Sequence, residues 1–66
     1  MHQLEKQFSH YFHTHYRPLC LHALHFMGNV EEAEDVVQDT FVSLWDKREQ
    51  LENIKSVKAY LYRAVR

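Results

Sequence analysis

The sequence predicts an all-α fold: a compact helical domain of three main helices, the first kinked or broken near Pro18. Two observations predict it. Apolar residues recur at three- and four-residue spacing in separate stretches, which is the period of an amphipathic helix. The composition is 45% hydrophobic and 14% aromatic with one glycine and one proline, which suits helices joined by short connections rather than a disordered chain. At 66 residues the chain forms one domain, near the lower size at which a hydrophobic core holds a fold without disulfides or metals, so its stability margin should be thin.

The first helix is predicted from Leu4, Phe8, Tyr11, Phe12 and His15, which share one face. Pro18 cannot donate a backbone hydrogen bond and crowds the preceding turn, so a break or kink is expected close to Tyr16 and Arg17. Beyond it Leu19, Cys20, Ala23, Leu24 and Met27 carry a second apolar face up to Gly28, with Pro18 in the first turn of a restarted helix.

The central helix is predicted over Asn29 to Asp46 and slightly beyond. Gly28 can end the preceding helix, Asn29 is a good N-cap with Glu32 three residues on, and Glu31, Glu32, Glu34 and Asp35 suit the positive end of the helix dipole. At roughly 100° per residue, Ala33, Val37, Leu44, Val30, Phe41 and Trp45 fall on one arc, expected to be buried. The opposite arc gathers Gln38, Val42, Asp35, Asp46 and Asp39. Two readings of that arc stand: a solvated face with one stray valine, or a docking stripe in which Asp35 and Asp39 meet basic side chains around Val42.

After Trp45 the periodicity is lost, and a loop is expected that Leu51 and Ile54 pin to the core. Ser56, or else Asn53, can cap the last helix. That helix, within Lys55 to Arg66, places Tyr60, Ala64, Val57, Leu61 and Val65 on one arc and Lys58, Tyr62, Lys55, Arg66, Ala59 and Arg63 on the other. A basic face can be merely solubilising, but an exposed Tyr62 among cations is the combination that holds phosphates and stacks bases.

Charge is sorted along the chain behind a net −1. Asn29 to Ile54 holds eight carboxylates against Lys47 and Arg48, a balance of −6, whereas Lys55 to Arg66 holds four cations and no acid, a balance of +4. One segment suits a basic partner and the next an acidic one.

Other classes are disfavoured. No apolar run is long enough to cross a bilayer, and the N-terminus lacks the apolar core of a signal peptide, so no membrane insertion and a cytoplasmic location are expected. Cys20 stands alone and cannot form an internal disulfide. Five of the six histidines lie between His10 and His25, but pairs three apart do not make a closed metal site, so no metal and no cofactor is expected. No nucleophile stands with a base at sensible spacing and there is no glycine-rich phosphate loop, which disfavours an enzyme.

The stretch AEDVVQDTFVSLWDKR followed by SVKAYLYRAVR resembles region 2 of the extracytoplasmic-function (ECF) group of bacterial RNA polymerase sigma factors, and Phe8, Tyr11 and Tyr16 resemble that family's first helix. The resemblance implies a domain that holds a sigma factor on core RNA polymerase and recognises and melts the −10 promoter element. It implies docking on the β′ clamp helices through Asp35, Gln38, Asp39 and Val42. It further implies that Asp46 to Ser56 matches a loop capturing an unpaired promoter base and that the following helix faces the non-template strand. Lys58, Tyr62, Arg63 and Arg66 suit that strand, with Lys47, Arg48, Asn53 and Lys55 as supplements; Asn53 is the best placed to read a base edge. Tyr60 stands where the family often has tryptophan, yet its helical phase turns it toward the core. The chain stops where family members continue, so a fragment of a two-domain protein is expected. The competing reading is a protein-interaction module of the same fold, with an anti-sigma factor as partner, that does not touch DNA.

Overall fold

One long helix, α1 (His2–Met27), sets the dimensions of the domain. Its 26 residues correspond to about 39 Å at 1.5 Å per residue, close to the longest molecular extent of 37 Å, while the other two extents are 19 and 17 Å. The computed structural model describes the backbone of residues 2–65 and the side chains of residues 4–65. Along α1 pack α2 (Val30–Asp46), a 3₁₀ segment (Arg48–Asn53) and α3 (Val57–Ala64); the described residues contain no strand.

The break expected at Pro18 does not occur, because α1 is assigned without interruption through it. Pro18 and Thr14, whose carbonyl loses its partner, are both exposed, so water can take the freed acceptor. Each half of the helix is separately anchored, Phe8 and Phe12 upstream against Phe41, and the fully buried Leu19 and Ala23 downstream. One lost hydrogen bond is small against both anchors.

The turn from α1 to α2 follows its local signals. Gly28 adopts φ +68°, the left-handed conformation that closes a helix, and its N–H donates to the Leu24 carbonyl at 2.8 Å. The Glu32 N–H donates to the Asn29 side chain at 3.1 Å, the N-cap bond of α2. Ala33, Val37, Phe41 and Leu44 are buried as their arc predicts, but Val30 is 57% exposed and Trp45 half-buried. Val30 is the first residue of α2, directly after the turn, and Trp45 lies in its last turn, so the core covers the middle of the stripe and not its ends. Thr40 is buried although polar; its hydroxyl donates to the Val36 carbonyl at 2.9 Å, which satisfies it inside the helix.

α2 stops at Asp46, with Lys47 as C-cap, and what the sequence predicts as loop is mostly 3₁₀ helix. Leu51 is buried and Ile54 packs partly against the core, which explains why the segment is ordered enough to coil. Ser56 caps α3 by accepting from the Ala59 N–H at 3.1 Å. Val57, Leu61 and Val65 complete the core, and Tyr60 is half-buried as its phase requires. Ala64 is exposed, although the same arc includes it.

Candidate polymerase and nucleic-acid interfaces

The acidic arc of α2 is a ridge between two grooves. Asp35, Gln38 and Asp39 are exposed, and Val42 is 59% exposed, so none of the four is used by the core. Toward α1, Gln38 and Val42 line a groove of about 560 Å³ walled by Phe8, Phe12, Phe41 and Trp45. The rings are tightly associated: Phe8 and Trp45 lie 4.9 Å apart and Phe12 and Phe41 5.0 Å, both edge to face. Toward α3, Asp39 borders a groove of about 330 Å³ with Ser43, Lys47 and Tyr60. The arrangement presents carboxylates on a crest with apolar ground on one side, suited to a basic helix carrying apolar side chains.

The cationic set divides into two locations. Lys58 and Arg63 are exposed on α3, with Lys55 and Asn53 exposed just before it. Lys47 lies on the other flank, its Nζ 5.8 Å from the Tyr60 ring centroid and in the groove that holds Asp39. Arg48 is engaged locally: its guanidinium stacks 4.2 Å from the Trp45 ring centroid and Nη1 donates to the Trp45 carbonyl at 2.9 Å. Arg66 lies outside the described residues.

Tyr62, read as exposed from its helical phase, is half-buried because α1 supplies a neighbour that the phase of α3 does not show. Its ring meets the His22 imidazole edge to face, with centroids 4.8 Å apart. Histidines of α1 therefore border the α3 face. Burial holds the His15 pKa below the usual 6.5, and the nearby charges of Lys58 and His10 push it the same way. Lys58 of α3 is therefore near enough to His15 of α1 to act on it.

Burial raises the Cys20 thiol pKa and Glu34 adds to the effect, against a hydrogen bond from Tyr16 that lowers it, so thiolate is scarce. Among the described residues no group of three or more His, Cys, Asp or Glu is placed to hold a metal ion, and no helix is long and apolar enough to cross a membrane.

Comparison with known proteins identifies one family. The sequence model of the family described as Sigma-70 region 2 matches residues 11–66. No curated protein and no solved structure matches.

Proposed function

The chain belongs to the sigma-70 region 2 family, a transcription-initiation domain, and from that premise we propose that it is the region 2 of an ECF-group sigma factor whose two charged surfaces have separate partners. The α2 ridge of Asp35, Gln38, Asp39 and Val42 docks on the β′ clamp helices of core RNA polymerase. The α3 face holds the non-template strand of the −10 element during melting, through Lys58 and Arg63 with Tyr62, and with Asn53 and Lys55 at its entrance; Arg66 belongs to the same set by sequence. Lys47 and Arg48 serve that strand less, since one lies beside Asp39 and the other is stacked on Trp45.

The observation that carries the proposal is the exposure of both charge sets on different helices: Asp35 and Asp39 on α2, Lys58 and Arg63 on α3. Neither set is buried or used to hold the fold, and each matches the charge of a different macromolecule. Binding of Asp35→Arg/Asp39→Arg to core RNA polymerase tests it. Loss of core binding with an unchanged circular dichroism spectrum is expected, and normal core binding by that variant refutes the ridge assignment. The second reading, a polymerase- or anti-sigma-binding module without DNA contact, predicts that Lys58→Glu/Arg63→Glu leaves DNA binding where it was.

A further inference from the structure

Between α1 and α3, beside the cationic face, lies a pocket of about 430 Å³ lined by His22, Phe26, Ala59, Tyr62 and Arg63. We infer that this pocket is a binding site for a small, free aromatic carboxylate, with the rings of Phe26 and Tyr62 around its aromatic body and the Arg63 guanidinium on its acid group. Such a ligand takes up Tyr62 and Arg63 and so excludes the strand from that part of α3. The site itself stands apart from the DNA reading of α3; only the exclusion rests on it.

Three features of the pocket agree on that occupant. Its volume lies toward the lower end of small-molecule sites, about 300–1,000 Å³, which suits one ring or two fused rings. Three aromatic side chains wall it at steep angles: His22 stands 5.0 Å from Phe26 at 77° and 4.8 Å from Tyr62 at 63°. Phe26 is 55% exposed, so much of its ring is free to be covered by a ligand. No acid is among the lining residues, and the one permanent cation is Arg63, whose planar fork pairs with a carboxylate through two parallel hydrogen bonds. Because that cation lines the same small pocket as the rings, the ring and the anion of an occupant must sit directly beside each other. An aromatic acid has that layout, whereas in a nucleotide a sugar stands between base and phosphate.

His22 adds a polar reason. Its Nε2 is shielded from solvent and has no hydrogen-bond partner among the described residues. Buried polar atoms are nearly always partnered, and a carboxylate oxygen accepts from an imidazole N–H once the exposed Phe26 ring turns aside.

The test follows backbone amides by NMR while the chain is titrated with 2-naphthoate, the uncharged 2-naphthylmethanol and the cationic 2-naphthylmethylamine, which share a ring system and differ in charge. Naphthoate should give saturable shifts centred on residues 22–26 and 59–63 and bind on the order of 10-fold more tightly than the alcohol, with the amine weakest. Arg63→Gln should remove the preference for the acid, and Arg63→Lys should restore only part of it, because lysine keeps the charge without the fork. Ala59 is exposed, so Ala59→Leu narrows the mouth without touching the core or any contacting group, and it should weaken naphthoate about 10-fold with an unchanged circular dichroism spectrum. Equal affinity for acid and alcohol, or no saturable shift at those residues up to about 10 mM naphthoate, overturns the site. A short deoxythymidine strand should bind more weakly in saturating naphthoate, and unchanged strand binding overturns the exclusion. A chain that takes naphthoate but binds no strand refutes the DNA reading of α3 and leaves the site standing.

Discussion

The guanidinium of Arg48 lies 4.2 Å from the ring centroid of Trp45 while its Nη1 donates to the Trp45 carbonyl at 2.9 Å. One side chain thereby covers the half-buried indole and satisfies a carbonyl in the last turn of α2, a helix with no basic residue of its own in that turn. A cation that the sequence offers to DNA is held against the fold in this structure. Arg48→Ala should therefore lower stability by about 1–2 kcal/mol, measured by urea unfolding, and change strand affinity less than Lys58→Ala does. A lysine at position 48 should recover only part of the loss, since it lacks the planar fork.

Lys58 and Arg63 are exposed and each can neutralise one phosphate. Replacing both by glutamate should abolish measurable binding to a single strand, whereas replacing both by glutamine should flatten the plot of log affinity against log salt by about 1.4, at about 0.7 per lost contact. Titrations at several salt concentrations check this; an unchanged slope means that the strand runs elsewhere. Stability should move by less than about 0.5 kcal/mol, because neither residue is buried.

Pro18 sits exposed inside an unbroken α1. A proline in a helix interior is roughly 3 kcal/mol less favourable than alanine, although local relaxation takes up some of that difference. Pro18→Ala should raise the unfolding free energy by about 1–3 kcal/mol and leave both binding activities unchanged. A destabilised Pro18→Ala would show that the chain needs the break which the sequence predicts and the structure lacks.

His15 gives the fold an acid sensitivity of definite sign. Its folded pKa is depressed below the usual 6.5, first by burial and then by the charges of Lys58 and His10. The unfolded chain therefore takes up this proton more readily, so the contribution is fully present above about pH 6.5 and is lost as the pH falls toward the lower folded value. His15→Gln should reduce the loss of stability between pH 7 and 5, followed by thermal unfolding at each pH. A phosphate at Lys58 offsets part of the repulsion, so strand binding should be accompanied by proton uptake that is smaller in His15→Gln.

The parts of the fold legible in the sequence are those set by neighbours in the chain. The Asn29 and Ser56 caps, the left-handed Gly28, the burial of Ala33, Val37, Phe41 and Leu44, and the three helices all follow from residues within four or five positions of one another. The same periodicity identified the exposed acidic ridge, because a solvent-facing arc needs only a known helical phase. It misplaced Val30 and Tyr62 for a related reason: phase tells which side a residue is on, but not whether anything stands opposite it.

What belongs to the sequence alone, then, is the helix set, its caps and the sorting of charge by segment, since these depend on local geometry and on which residues follow which. What the tertiary structure decided is the company each side chain keeps: Pro18 tolerated because both halves of α1 are anchored, and His22 and Phe26 brought beside Tyr62 and Arg63 from about forty positions away in the chain. The second of these depends on how α1 lies along α3, and that relation is chosen by the burial of Leu19, Ala23, Leu61 and Val65 together, a collective packing preference that no single stretch of sequence carries.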